Sequence, residues 1–337
     1  MPRVAVIGCG SVSVVHFEAI RAIPGAELVG VCDSDATTLA AASAQHGVPG
    51  FADHRALLDE VRPDVVHIST PHHQHVPVAI DALAAGVAVL MEKPVARTVD
   101  EAQALIAAAD VSPAKIGICF QNRYNATTQA IRTLLDSGEL GAVLGGSASV
   151  TWNRPTSYYT TRPWRGQQKL SGGGVMINQA IHTLDALLWL LGDATAVAGR
   201  SSRHVLDDEV DVEDTAHLVI DHATGARSVL FATVANVVDS PVTMEIVTEQ
   251  ATCYLRGDLT IRYADGRVEQ IPERVAASGG RAYWGVSHEL LIDDFYRRLD
   301  DPEPFWISPA EALKSLAVIE QLYAFDSRGA VVAPDPA

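Results

Sequence analysis

Only four cysteines occur in the 337 residues, Cys9, Cys32, Cys119 and Cys253, and their wide spacing offers neither a disulfide framework nor a zinc motif. Three of them lie in apolar, strand-like runs, which fits buried thiols in a reducing compartment. No uninterrupted apolar run is long enough to span a bilayer. The N-terminal "MPRVAVIGCG" does not read as a signal peptide, because glycines break its apolar run almost at once. A cytoplasmic protein is expected. Basic residues are scarce as well, 25 against 41 acidic ones, for a formal charge of −16. That balance disfavours non-specific binding to nucleic acid or to anionic membranes. What remains is an ordinary globular composition, 48% apolar and 20% charged.

The length calls for two domains. Up to residue 121, short apolar strands such as "RVAVIGCG", "ELVGVCD", "VVHIST" and "VAVLMEKP" alternate with helical stretches. That rhythm predicts an α/β domain with a doubly wound parallel sheet covered on both faces. From residue 122 to 337 the pattern changes to one helix, one strand and a polar, aromatic loop, then the helix "GGGVMINQAIHTLDALLWLLG". A run of strands follows between residues 194 and 272, with turn signals such as "DHATGA" and "ADGR", and two helices close the chain. This second part reads as an α+β domain with a large, mostly antiparallel sheet. Its last helix, residues 308–325, is expected to return to the first domain.

"VIGCGSVSVVHF" supplies Gly8 and Gly10 of a G-x-G-x-x-G pattern between the first strand and the first helix, with Ser13 at the third position. Gly8 permits a tight turn, and Gly10 lets the backbone approach a pyrophosphate at the helix N-terminus. Asp33 ends the second strand about 20 residues further on, as a Rossmann dinucleotide site requires. An acid there bonds ribose hydroxyls and repels a 2′-phosphate. Ser34, Asp35 and Ala36 follow it with no arginine, so NAD is favoured over NADP.

In "VLMEKPV", Lys93 stands at the C-terminal end of a parallel strand, where open α/β sheets bind ligands. A lysine there can polarise a hydroxyl and stabilise alkoxide charge. Oxidation of an alcohol also needs a proton acceptor, a role that suits His182. Helical spacing puts Asn178 and His182 on one face, with Asp185 one turn further along to orient the imidazole. Ahead of this helix the loop "NRPTSYYTTRPWRGQQKL" offers Tyr158, Trp164 and Arg165 as sugar-facing and anion-clamping groups, and Arg123 is a second candidate at the domain junction. His72, His73 and His75 lack an acidic or cysteine ligand at useful spacing, so no metal is expected. "LDDEVDVED", residues 206–214, lacks the spacing of a calcium loop and reads as a solvated turn.

Taken in order, "VIGCGSVSVVH", "STPHHQHVPVAIDALAAGVAVLMEKP", "FQNRYNATTQAIRTLLDSGELG", "GGGVMINQAIHTLDALLWLLG" and the later "VEDTA" and "SHELLIDDF" resemble the Gfo/Idh/MocA family of NAD(P)-dependent sugar and cyclitol oxidoreductases, over almost the whole chain. The resemblance implies a Rossmann domain followed by a domain whose open sheet forms the interface of a homodimer or homotetramer. It implies that NAD lies along Gly8, Gly10, Ser11, Val12, Asp33 and Ser34, the Thr70–Pro71 turn with His75 nearby, and Glu92, Lys93 and Gln121. It also implies that Lys93 and His182 flank the reacting hydroxyl of a sugar or inositol. Family members often carry an acid at the position of Asn178. An amide cannot accept a proton, so base function falls to His182 and substrate hydrogen bonding to Asn178. Two other readings stay open on the same residues: a non-catalytic NAD-binding sugar sensor, and a sugar–sugar oxidoreductase with tightly bound NAD(H).

Overall fold

The computed structural model describes residues 2–206, 210–274 and 287–327. Six strands form the first sheet: β1 (Arg3–Ile7), β2 (Glu27–Cys32), β3 (Gly50–Phe51), β4 (Val65–Ile68), β5 (Ala88–Met91) and β6 (Ile116–Ile118). All pair in parallel, in the order β3-β2-β1-β4-β5-β6. Helices α1 (Ser13–Ala22), α2 (Ala36–His46), α3 (His54–Val61), α4 (His72–Ala84) and α5 (Val99–Val111) connect them. The central strands are apolar nearly throughout because helices cover both faces, and every residue of β4 and β5 is buried. The polar exception in β4 is His67, which becomes important at the site. Strand order reverses between β1 and β4, which opens a crevice at their C-terminal ends.

The second half holds α6 (Ala126–Ser137), β7 (Val143–Thr151), two short helices α7 (Thr156–Thr160) and α8 (Gln168–Ser171), and the core helix α9 (Ile181–Leu191). Next come β8 (Ala194–Ser202), β9 (Thr215–His222), β10 (Arg227–Thr233), β11 (Thr243–Thr248), β12 (Ala251–Arg256), β13 (Asp258–Tyr263) and β14 (Val268–Ile271), then α10 (His288–Arg297) and α11 (Pro309–Asp326). The eight strands form one sheet in the order β14-β13-β12-β11-β7-β10-β9-β8. Its ladders are antiparallel except β7 with β10, which run parallel. Burial alternates with period two. Leu218, Ile220, Leu230 and Ala232 face inward, while Val219, Val229 and Phe231 are exposed on the other face. Helix α9 packs on β7, and α11 packs on β8 while also touching α5 of the first half. By length and composition the stretch Gln168–Leu191 could cross a membrane, yet 83% of its apolar window is buried in this core.

The acids near residue 214 differ from the solvated turn expected of them. Glu213 is 8% exposed and Asp214 is fully buried, while Asp207, Asp208 and Glu209 lie outside the described residues. Asp214 Oδ2 accepts from the backbone nitrogens of His204, Val205 and Leu206. Glu213 caps the helical segment that carries the site. Its carboxylate accepts from Gly174 N at 2.7 Å, Met176 N at 3.0 Å and the Tyr323 hydroxyl at 2.9 Å. Buried carboxylates persist where backbone N–H groups replace their water. Gly174 has to be glycine, since a Cβ there would lie 1.9 Å from the Glu213 carbonyl oxygen.

Replacing Glu213 with Gln turns one acceptor oxygen into an N–H donor facing other donors. Urea unfolding of Glu213→Gln is expected to show a loss of about 2 kcal/mol, the scale of an unsatisfied buried hydrogen bond to a charged group. An unchanged midpoint would remove Glu213 from the helix cap.

Candidate active site

One cleft, of about 420 Å³, runs from Asp33 across the glycine loop to His182. At its first end Gly8 has φ +91°, and a Cβ there would come within 2.7 Å of the Ser69 carbonyl and Thr70 nitrogen. Only glycine lets β1 end so close to β4. A Cβ on Gly10 would meet nothing within 4 Å, so its backbone faces open space. Ser13, at the third glycine position, is buried and donates its hydroxyl to Gly10 O at 2.7 Å. Asp33 accepts from Cys9 N at 2.8 Å and Asp35 N at 2.9 Å, which pins the glycine loop and leaves lone pairs for a ribose. Ser11, Val12 and Ser34 line the same end. Arg162, from the other half of the chain, also reaches it. The local sequence after Asp33 holds no arginine, and only the fold brings this one near.

Further along, Thr70, Pro71, His75, Glu92 and Gln121 line the cleft. The His75 ring nitrogens lie 2.8 Å from Pro94 O and 3.0 Å from Thr70 O, tying the Thr70–Pro71 turn to the cis Lys93–Pro94 peptide. These residues fit a dinucleotide. The glycines admit a pyrophosphate, Asp33 offers acceptors, and Thr70 Oγ1 is a buried polar atom without a partner among the described residues.

At the second end Lys93 donates from Nζ to the backbone oxygen of Asn178 at 2.9 Å. Asn178 sits in a π-helical turn, Met176–Ala180, directly before α9, a wide turn often found at functional sites. Burial depresses the Lys93 pKa, and the Glu92 charge opposes that shift. His182 lines the same space, with Phe120 edge-on at 5.8 Å. Burial, then the Lys93 charge, hold its pKa well below the ordinary histidine value, so the imidazole is neutral at pH 7.

Beneath Lys93 lies a buried polar chain. Glu92 Oε1 accepts from His16 Nε2 at 3.2 Å and from His288 Nε2 at 3.3 Å. His16 Nδ1 meets His67 Nδ1 at 2.9 Å, and the Tyr296 hydroxyl meets His67 Nε2 at 2.8 Å. One assignment satisfies every contact: Tyr296 donates to His67, His67 to His16, and His16 to Glu92. Burial alone would raise the Glu92 pKa, but the hydrogen bonds from His16 and His288 outweigh it and keep the carboxyl well below its usual range. His16, Glu92 and His288 also form the group of three with metal-ligand spacing found among the described residues, and their hydrogen bonds use the same atoms. His72, read above beside His73 and His75, is turned to the Ser171 carbonyl at 2.7 Å.

Two expectations are corrected. Asp185 does not orient His182, whose Nδ1 has no hydrogen-bond partner among the described residues. Its two oxygens instead accept from Nε and Nη2 of Arg123, each at 2.7 Å. Arg123 in turn does not face substrate. It is 2% exposed, reaches Glu311 Oε1 at 3.0 Å, and lies 5.5 and 5.6 Å from the Trp189 and Trp306 rings. Three helical residues turn about 300°, so Asp185 sits about 60° from the His182 direction, and a buried guanidinium claims it. Tyr158, Trp164 and Arg165 do line the cleft, together with Trp152 and Gln179. Neither of those two stood out in the sequence, nor did His16 and His67, which look like ordinary members of an apolar helix and strand.

Residues 2–119 match the model of an oxidoreductase family with an NAD-binding Rossmann fold, and residues 128–254 match the GFO/IDH/MocA C-terminal domain. A D-apiose dehydrogenase of Paraburkholderia graminis is 30% identical over 67% of this chain and 59% of its own. Another, of Rhizobium rhizogenes, is 25% identical over 97% of this chain and 96% of its own. The WlbA dehydrogenase of Bordetella pertussis, solved with NADH and UDP-GlcNAcA, superposes with a TM-score of 0.84 at 27% identity, covering 97% of each chain.

The corrected pair makes a stability prediction. Asp185→Asn leaves a buried guanidinium short of its carboxylate, and unfolding free energy should fall by about 3–5 kcal/mol. The double variant Arg123→Met, Asp185→Leu should recover part of that loss. Additive losses would show that the two residues are not coupled.

Proposed function

The chain belongs to the GFO/IDH/MocA family of NAD-binding oxidoreductases, and on that premise we propose that it oxidises a ring hydroxyl of a sugar, sugar derivative or inositol with NAD. The observation that carries this reading is the Lys93–Asn178 contact, which holds an ammonium beside the neutral His182 at one end of a glycine-lined cleft. NAD supplies the hydride acceptor when bound. His182 takes the hydroxyl proton, which a neutral imidazole can do and a protonated one cannot. Lys93 donates toward the same oxygen and stabilises the charge that develops there. Asn178 holds substrate through its amide. The Glu92 charge raises the pKa values of both Lys93 and His182, and so offsets the cost of a second cation when His182 is protonated. Ketone reduction uses the same groups in reverse. Asp33 favours NAD over NADP, and the charge of Arg162, which reaches the same end of the cleft, acts on the Asp35 carboxylate.

The exposed sheet face supports a homodimer or homotetramer. Val229 stands opposite Val219 in the β9–β10 ladder, and Phe231 lies two residues further on the same face. Light scattering should read two or four chains, and a monomer would rule the interface out.

His182→Ala and Lys93→Ala are each expected to lower kcat/KM for sugar oxidation by about 10²–10⁴-fold while NADH fluorescence titration still shows binding. Near-normal turnover in either would overturn the mechanism. The pH profile has a defined sign. Activity needs neutral His182 and charged Lys93. It should stay full down to below about pH 6.5, where an ordinary histidine would already titrate, and fall at alkaline pH before the ordinary lysine value of about 10.4.

A further inference from the structure

Among the described residues, Glu92 is the one carboxylate near Lys93 and His182 in the cleft, and two imidazoles already engage it. Asp33 and Asp35 lie at the far end, on the glycine-loop side. Asn178 puts an amide where a carboxylate would stand beside Lys93. Its side chain makes no hydrogen bond among the described residues.

Positive charge is present and spare. Arg165 comes from the short turn Pro163–Gly166 and lines the cleft with its guanidinium over the Tyr158 ring, 4.1 Å from its centroid and 5.7 Å from that of Trp164. Nη1 donates to Tyr158 O at 3.3 Å, and no carboxylate lies within ion-pair reach among the described residues. Arg154, on the same rim, is by contrast committed to Asp239 at 3.0 and 3.2 Å. A guanidinium held over an aromatic ring keeps most of its five N–H donors free for a planar, two-oxygen acceptor. Its charge reaches the reacting centre, since it helps depress both Lys93 and His72. Glu92 offsets part of the repulsion between Lys93 and Arg165, and an anion bound between the two cations would relieve the rest.

We propose that the substrate is a sugar bearing a carboxylate, a uronic or related sugar acid, with Arg165 as the residue that grips the carboxylate and Asn178 as the residue that keeps its surroundings free of like charge. The inference rests on the dehydrogenase reading above. The carboxylate is a handle and takes no part in bond making. It sets which hydroxyl sits between Lys93 and His182, and a bidentate Arg–carboxylate pair fixes orientation as well as affinity.

The test pairs galacturonate with galactose and glucuronate with glucose, each with NAD, and adds glucose 6-phosphate as a second anion. The wild type should favour each acid over its parent sugar in kcat/KM by about tenfold or more, the worth of a charge-assisted hydrogen bond. That ratio should collapse in Arg165→Ala and recover partly in Arg165→Lys. It should also fall in Asn178→Asp, which restores a negative charge without touching Arg165. Equal or better turnover of the neutral sugars overturns the proposal while leaving the dehydrogenase reading intact. A preference for the phosphate over both uronates overturns the carboxylate assignment. If no sugar is oxidised, tryptophan fluorescence of the NADH-loaded protein decides between the two ideas. Arg165-dependent uronate binding without turnover sinks the dehydrogenase reading and supports the acid site. Absence of such binding sinks the acid site.

Discussion

Lys93 leaves the end of β5 and donates its ammonium to the backbone oxygen of Asn178, 85 residues away in the other half of the chain. This one contact sets where the cofactor cleft meets the substrate side. It also brings an ammonium into a partly buried place, which costs free energy unless a counter-charge is near. Glu92 supplies that charge from the adjacent position, and it stays ionised because His16 and His288 donate to it. His67 then satisfies the remaining nitrogen of His16, and Tyr296 satisfies the second nitrogen of His67. The buried polar chain is therefore the support of Lys93, and among the described residues every group in it has a partner except Nδ1 of His288, which belongs to a residue lining the cleft.

Two other buried acids do structural work of the same kind. Glu213 receives the first N–H groups of the segment that carries Asn178 and His182, and Asp185 pairs with Arg123 about 60° around α9 from His182. The helix is thus held at its start by a carboxylate and along its flank by an ion pair. Among the described residues His182 carries neither kind of restraint on Nδ1, and burial and then the Lys93 charge keep it neutral. Hydrogen-bonded carboxylates hold the helix around His182, and the imidazole itself is uncharged.

Much of this could be read along the chain. Strands that run apolar end to end mean a sheet covered on both faces, and the glycine pattern followed by Asp33 lies within one βαβ unit. Lys93 at a strand end and His182 behind three glycines are local features too. The misreadings share one cause. Asp185 lies only three residues from His182, but its partner is 62 residues away. Glu213 and Asp214 look like surface charge in a run of acids, and only the chain folded over them buries them. Arg162 reaches Asp33's end of the cleft from the other domain.

Sequence by itself determined the fold class of the two parts and the dinucleotide-binding character of the first, because these depend on periodicity and short-range turn chemistry. Tertiary structure alone decided which charges meet. The free energy of a buried charge is set by the partners that replace its water, and for Glu92, Arg123, Glu213 and Lys93 those partners come from distant parts of the chain.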